Sequence, residues 1–201
     1  MKKSKRYLEI KRKIEDRSYS LNDSVNLIKD ISSAKFDESV EIHLMTNADP
    51  KNADEQIRTV ADLPHGTGKQ VRVLVFAEGD AAVSAKEAGA DFVSDDEIVK
   101  NIEKGWQDFD VAIATPDQMS KIGKLGKFLG RKGLMPNPKT GTVVQPQNIS
   151  QAISASKKGR TEIKIDSASV IHFNVGKASF TPDQLIENTK SVIKTIFDSK
   201  P

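Results

Sequence analysis

The sequence of 201 residues contains no cysteine, and this absence excludes disulfide bonds, thiolate metal sites and cysteine nucleophiles together. Long apolar runs are also missing, since the longest, residues 73–77, is far below the about 20 residues that a membrane span requires. The basic N-terminus has no apolar segment behind it, so it does not resemble a secretory signal. We therefore expect a soluble cytoplasmic protein without a membrane partner.

The formal net charge is only +3, but the charges are strongly segregated along the chain. Residues 78–117 contain 11 acidic and three basic residues, whereas residues 118–161 contain nine basic residues and no acidic one. A solvated surface normally mixes both signs, and nucleic-acid phosphate is the commonest reason for a long basic segment. A merely solvated basic segment is the alternative interpretation.

Motifs for nucleotide, metal or nucleophilic chemistry are incomplete. Gly66-Thr67-Gly68-Lys69 lacks the spacing of a phosphate-binding loop, and it precedes a strand instead of following one. The three histidines, His43, His65 and His172, have no partners at zinc-ligand spacing. We therefore expect no enzyme activity, no metal and no cofactor or small-molecule substrate, and we expect His43 on the exposed face of its strand.

The periodicity changes twice along the chain, which indicates one domain inserted into another. Near the two ends the pattern predicts a helix over 21–31 capped by Ser20, a strand over 39–44, a hairpin of strands 162–165 and 170–173, and a final helix started by Thr181-Pro182. Between them, the pattern predicts buried strands over 71–76 and 109–114 with helices over 81–88, 95–104, 117–129 and 149–156, as in a parallel sheet with crossover helices. The two chain crossings, at 66–68 and 157–160, contain Gly66, Gly68 and Gly159 and would permit a hinge.

The segment from Gly123 to Val143 combines glycines, prolines and cations. Glycines allow a backbone to approach a sugar-phosphate surface, and lysine and arginine neutralise it. We expect Leu129, Leu134 and Met135 to pack in the core. The outward cations that we assign to RNA binding are Lys124, Lys127, Arg131, Lys132 and Lys139.

This segment resembles the signature of the large-subunit ribosomal protein L-one family, whose members belong to the mobile stalk at the ribosomal exit site. Collinear matches extend the resemblance over nearly the whole chain, at residues 35–40, 49–54, 63–73, 87–91, 114–117 and 175–180. The resemblance implies an α/β fold with two domains. Domain I, α+β, would comprise residues 1–66 and 159–201 and bind the rRNA, while domain II, a Rossmann-like α/β three-layer insertion, would comprise residues 67–158.

The resemblance also implies the function. The protein would be a structural constituent of the large subunit, bind the stalk region of its rRNA and assist release of deacylated exit-site tRNA. The alternative is a translational repressor that binds its own operon mRNA through the same surface. The implied location is the ribosome, in the cytoplasm or in an organelle.

Matching positions give the implied RNA-facing residues of domain I: Lys35, Phe36, Glu38, Lys51, Asp54, Arg58, Asp166, His172, Gly176, Lys177 and Ser179. Phe36 has a core position as its alternative, and His172 a purely structural role. Because phosphate repels carboxylates, Glu38 and Asp166 would have to accept hydrogen bonds from a 2′-hydroxyl or a base edge.

The chain departs from the family pattern at three places. Ser167-Ala168-Ser169 replaces the usual Lys-x-Gly, and Gly130-Arg131-Lys132-Gly133 replaces Gly-Pro-Arg-Gly. The family pattern also continues into a further strand with a Thr-Met-Gly motif, whereas this sequence ends at Pro201. Either the natural protein ends there, or the sequence is a segment of a longer one.

Overall fold

The computed structural model describes residues 3–52 and 54–199. Residues 1–2 and 200–201 of the predicted domain I therefore lie outside the described residues, as does Ala53 within the 49–54 match. The helices are α1 (Lys5–Lys13), α2 (Leu21–Ile31), α3 (Asp80–Glu87), α4 (Asp96–Glu103), α5 (Met119–Gly123), α6 (Gly126–Leu129), α7 (Ile149–Lys157) and α8 (Pro182–Asp198). The strands are β1 (Ser39–Met45), β2 (Arg58–Asp62), β3 (Val73–Phe76), β4 (Phe92–Val93), β5 (Val111–Ala114), β6 (Arg160–Lys164) and β7 (Val170–Lys177).

Residues 3–52, 54–66 and 159–199, here called the terminal region, form two antiparallel strand pairs covered by helices. β1 pairs with β7 and β2 with β6. Along β1 and β7 alternate side chains enter the core, where Val40, Phe173 and Val175 meet Val25 of α2 and Leu185 of α8. The remaining side chains of β1 and β7 lie on the opposite, outer face of the pair.

The caps of the two covering helices were predictable and are confirmed. Ser20 accepts a hydrogen bond from the backbone N–H of Asp23 at the start of α2. At the start of α8, Thr181 and Gln184 form a capping box and Pro182 occupies the first turn.

The predicted hairpin of strands 162–165 and 170–173 is wrong in its pairing. Both strands exist, but a single bridge between Ile165 and Ile171 joins them. Each pairs instead with a strand from the first 62 residues. One of these partners, β2, and the N-terminal helix α1 were not predicted, because neither shows a clear apolar period.

Residues 67–158, the central region, contain a parallel sheet in the order β4-β3-β5. One face carries Val73, Val75 and Ile113 against α3 and α7, and the other carries Leu74, Phe76 and Ala112 against α4, α5 and α6. The region therefore has three layers, and the fold class is α/β as predicted.

The single helix predicted from Asp117 to Leu129 is interrupted. A 3-10 turn at 116–118 precedes α5 and α6, and glycines at 123 and 126 stand at the break. The predicted inward residues still reach the core: Ile122, Leu125 and Leu129 are buried, and Met119 packs beside them. Leu134 and Met135 also pack against this core, as expected.

The two chain crossings contact each other at their glycines. A Cβ on Gly159, whose φ is +111°, would lie 2.4 Å from Gly66 Cα. The side chain of the buried Asn188 fixes the first crossing to α8, because it donates to Gly66 O and Val175 O and accepts from His65 N–H. The hydrophobic cluster of the terminal region is separate from the two clusters of the central region. We therefore propose the two crossings as the domain boundaries and Gly66, Gly68 and Gly159 as the hinge positions.

Among the described residues, no helix combines the length and apolar character needed to cross a membrane.

Candidate nucleic-acid interface

The loop before β1 and the turn after β7 form one end of the candidate interface. Ala178 N–H donates to Glu38 O at 2.8 Å, and both the N–H and the hydroxyl of Ser179 donate to the Asp37 carboxylate. Lys29 Nζ donates to Ala178 O from the α2 side. These bonds bring the predicted positions 35–38 and 176–179 together, although about 140 residues separate them in sequence.

Phe36 lies at the rim of this end with 73% of its surface exposed. The alternative of a core phenylalanine is thereby excluded. Lys35 beside it is exposed as well. An aromatic ring next to a cation, both accessible, is suited to stacking on an unpaired base near a phosphate.

Lys177 and Gly176 have different roles at the end of β7. Lys177 Nζ donates to Ser39 Oγ at 2.8 Å, and its stem packs over Gly68. Gly176 is buried, its φ is +152°, and a Cβ there would lie 2.8 Å from the Phe180 ring. Glycine is therefore required for packing at an irregularity in the register, and any RNA contact of Gly176 would use its backbone.

Glu38 is engaged by the protein itself. Its carboxylate accepts from Ser32 and, at 2.7 Å, from Arg6 of α1, whose Nε also donates to Ser33. The hydrogen bond from Ser32, together with the Arg6 charge, lowers the pKa of Glu38 despite some desolvation. Arg6 thus anchors the basic helix α1 beside the interface, a contact that the sequence pattern did not reveal.

The outer face of the β1–β7 pair carries a row of polar side chains. His172 is exposed and pairs in register with His43, and the two Nδ1 atoms lie 2.5 Å apart. His172 Nε2 lies 3.1 Å from Asp166 Oδ2, and His43 Nε2 lies 3.9 Å from Glu41 Oε2. Exposure confirms the expected position of His43 and places His172 on an accessible surface.

Asp166 is held in place by the turn that precedes β7. Its Oδ1 accepts from the backbone N–H groups of Val170 and Ala168, both at 2.8 Å. The bond from Val170 is the largest cause of the lowered pKa of Asp166, and His172 contributes in the same direction. Asp166 is therefore a carboxylate acceptor at the edge of the outer face, as a 2′-hydroxyl contact requires.

A cleft of about 490 Å³ continues the interface from Asp166 toward the central region. Lys51, Arg58 and Lys164 line it on one side and Gly130 and Gly133 on the other. Arg58 forms an ion pair with Glu162 at 2.6 Å, which leaves Lys51 and Lys164 as the more available cations. Lys164 was not predicted. Its Nζ lies 3.7 Å from the position of a Cβ on Gly133.

Asp54 is exposed in the turn that also carries Lys51. Its backbone N–H donates to Asn52 Oδ1, and Lys51 N–H donates to Asp49 Oδ1. These local bonds shape the turn and leave both predicted side chains accessible at its surface.

The basic loop, residues 124–141, presents the five predicted cations of the central region. Lys124, Lys127, Arg131, Lys132 and Lys139 are all exposed. Within residues 3–52 and 54–199, none of the five has a carboxylate within 4.0 Å, whereas Lys121 just before them pairs with Glu78. The loop packs against the terminal region, where the Arg160 guanidinium lies over Gly141.

The predicted residues of the terminal region thus fall into two neighbouring groups. One surrounds the loop at 35–38, the other surrounds Asp166, and the outer face of the β1–β7 pair connects them. In the part of the chain that the structure describes, no group of three or more histidines and carboxylates is placed to hold a metal ion.

Comparisons with known proteins identify the family. The model of the ribosomal protein L1p/L10e family matches residues 28–201. The chain is 55% identical to the large ribosomal subunit protein uL1 of Dehalococcoides mccartyi over 184 residues, which are 92% of this chain and 78% of that protein. It is 51% identical to the protein of the same name from Kosmotoga olearia and 53% identical to that from Thermosipho melanesiensis, in both cases over 100% of this chain and 86% of the relative. The chain therefore belongs to the ribosomal protein L1p/L10e family, a family of structural and non-enzymatic components of the ribosome.

Proposed function

We propose that this protein is a structural constituent of the large ribosomal subunit that binds the stalk region of large-subunit rRNA and assists release of deacylated tRNA from the exit site. The names of its relatives support the large-subunit context. The observation that carries the RNA contact is the exposed Phe36 beside Lys35, joined through one polar face to Asp166 and the cationic cleft.

The chemistry of this surface suits folded RNA. Phe36 offers a ring for stacking, Lys51 and Lys177 offer positive charge, and Asp166 offers an acceptor for a 2′-hydroxyl. An RNA stem with unpaired bases presents all three kinds of partner. The basic loop would contact the RNA backbone without reading sequence, because its cations are exposed on a glycine-containing segment.

A filter-binding titration with a stalk fragment of large-subunit rRNA tests the proposal. We expect tight binding that weakens steeply with salt, and a clear preference over an unrelated RNA hairpin of equal length. Equal affinity for the two RNAs, or an affinity that salt hardly changes, would contradict the proposal.

Phe36→Leu separates base stacking from charge. Stacking of a base on an aromatic side chain contributes about 1–3 kcal/mol, so the variant should lose that amount of binding free energy while the salt dependence stays unchanged. Phe197→Leu is the matched control, because Phe197 is similarly exposed, 66% against 73%, but lies on α8 outside the interface. Equal losses for the two variants would argue against stacking on Phe36.

The same surface would bind operon mRNA if the protein also represses its own translation. A leader fragment with an rRNA-like stem and bulge should then compete with the stalk RNA, and Lys177→Ala should weaken binding of both. A leader that does not displace the stalk RNA would rule out the repressor function through this surface.

A further inference from the structure

The histidine pair on the outer face of β1 and β7 has a property that rRNA binding by itself does not require. His43 and His172 stand opposite each other in the strand register, and their rings meet edge to face with centroids 4.8 Å apart. The Nδ1–Nδ1 distance of 2.5 Å is a hydrogen-bond contact, so one of the two atoms must donate a proton and the other accept it.

The surroundings decide which histidine donates. Asp166 is held as an ionised acceptor by two backbone N–H groups, so His172 must present a proton at Nε2 to bond with it. A neutral His172 then has a lone pair at Nδ1, and His43 must carry the Nδ1 proton that fills the contact.

His43 can take up a further proton without breaking this arrangement. In its neutral form with Nδ1–H, the free lone pair of this 56% exposed side chain is at Nε2, which lies 3.9 Å from the Glu41 carboxylate. Protonation there creates an imidazolium that still donates to His172 and gains a negative neighbour. A second proton would have to enter at His172 Nδ1, where it would face the Nδ1–H of His43 at contact distance.

We propose that His43 and His172 act as one unit that can hold only one positive charge. The pair acquires this charge by taking up one proton when an RNA phosphate binds to the outer face of β1 and β7. The proton comes from solvent and enters at His43 Nε2. This inference rests on the proposed RNA-binding function, and it adds His43 as a phosphate-contacting residue whose charge is set by pH.

The charged groups around the pair are consistent with this assignment. Glu41 and Asp166 face the two histidines on the same side of the sheet, and Lys177 lies on that face at the far end of β7. Lys164 ends β6 beside the cleft that Asp166 borders. The helices α2 and α8 cover the opposite face of the strand pair, through Val25, Leu185 and Val192.

The test is the affinity of the full chain for the stalk rRNA fragment from pH 6 to pH 8 at constant ionic strength. A phosphate that raises proton affinity by one pH unit makes binding about tenfold stronger at the acidic end. We expect a five- to tenfold increase in affinity from pH 8 to pH 6, with a slope of log Kd against pH that never exceeds one.

His43→Gln is the decisive variant, because glutamine keeps a neutral N–H donor for His172 but cannot carry the charge. We expect its affinity to change less than twofold over the same pH range. The only other histidine, His65, pairs with Glu187 at the first chain crossing, so His65→Gln is the matched control and should keep the wild-type pH dependence.

Three outcomes would overturn the inference while leaving the proposed function intact: pH-independent binding by the wild type, a slope above one, or full pH dependence in His43→Gln. Absence of RNA binding at every pH would instead refute the proposed function. NMR titration of the three imidazoles gives a readout without RNA. We expect the signals of His43 and His172 to shift together as one proton binds, and uptake of one proton by each ring would overturn the shared charge.

Discussion

Replacing Asn188 should remove the hydrogen bonds that hold the first chain crossing to α8 and should destabilise the terminal region. The amide makes three hydrogen bonds, donating to Val175 O at 2.7 Å and Gly66 O at 2.9 Å and accepting from His65 N–H at 3.1 Å. Asn188 has 0% exposure, so water does not reach the side chain in the native state. Leucine at this position would fill a similar volume and satisfy none of the three backbone groups.

The expected loss follows from how well each backbone group can be rehydrated. Val175 is buried, and leaving its carbonyl without a partner costs about 1–3 kcal/mol. The groups of His65 and Gly66 are partly accessible, and each lost bond there costs about 0.5–1.5 kcal/mol. Asn188→Leu should therefore lower the free energy of unfolding by about 2–6 kcal/mol, a large part of the about 5–15 kcal/mol typical of proteins.

Urea denaturation followed by two signals measures this loss. Far-UV circular dichroism reports both regions, whereas the single tryptophan, Trp106, packs in the core of the central region and reports that region alone. The dichroism midpoint of Asn188→Leu should fall more than the Trp106 fluorescence midpoint. Lys190→Leu, an exposed position on the same helix, should stay within about 0.5 kcal/mol of the wild type. A similarly small change for Asn188→Leu would refute the assignment of Asn188 as the anchor of the crossing.

Three further predictions concern the crossings, the acid limb of stability and the basic loop. In urea denaturation, Gly159→Ala should destabilise the protein by at least about 2 kcal/mol more than Gly105→Ala. Both glycines have positive φ, but of the two only Gly159 has backbone atoms where a Cβ would lie. Equal losses for the two variants would contradict the close contact between the chain crossings. Burial disfavours the Asp110 carboxylate, but hydrogen bonds from Lys69 and the Arg72 backbone outweigh it and lower its pKa. This stabilisation is present above the pKa of Asp110 in the unfolded state and is lost as pH falls through its pKa in the folded state. In thermal melts, Asp110→Asn should therefore destabilise the protein at pH 7 and progressively less from pH 4 to pH 2. A loss of stability that does not change with pH would contradict this prediction. Replacing Lys127 and Lys132 together by glutamine should reduce the slope of log K against log salt for RNA binding by about 1.4–1.8, and Lys86→Gln in the acidic segment should not; an unchanged slope in the double variant would place the basic loop away from the RNA.

Local signals were sufficient for the elements whose stability is decided within a few residues. Ser20, Thr181 and Pro182 marked the starts of α2 and α8, and the apolar run at 73–76 marked a strand covered on both faces. The strand–helix alternation after it gave the three-layer arrangement. In each case the sequence period and the buried face coincide.

These sequence patterns did not predict which strands pair when the strands are far apart in the chain. The partner of β6 is β2, which lies about 100 residues earlier in the chain. The five residues of β2 include only two apolar ones. Proximity along the chain instead suggested a hairpin with β7. The same reason hid the pair of His43 and His172, since their contact depends on the register of β1 and β7.

The fold shows where the segregated acidic and basic residues lie relative to the candidate interface. Acidic residues of the central region are neutralised where they border structural contacts, as Asp110 is by Lys69 and Asp91 by Lys157. The five cations of the basic loop have no such neighbours in the part of the chain described, and the loop contacts the terminal region at Gly141. A polyanion bound to the outer face of β1 and β7 and to the cleft beside Asp166 would therefore meet uncompensated positive charge if it continued toward the central region. The acidic segment that follows β3, residues 78–117, would repel it. Because the net charge of +3 averages over these two surfaces, the distribution of charge, and not its sum, would set the direction in which the proposed RNA ligand extends across this protein.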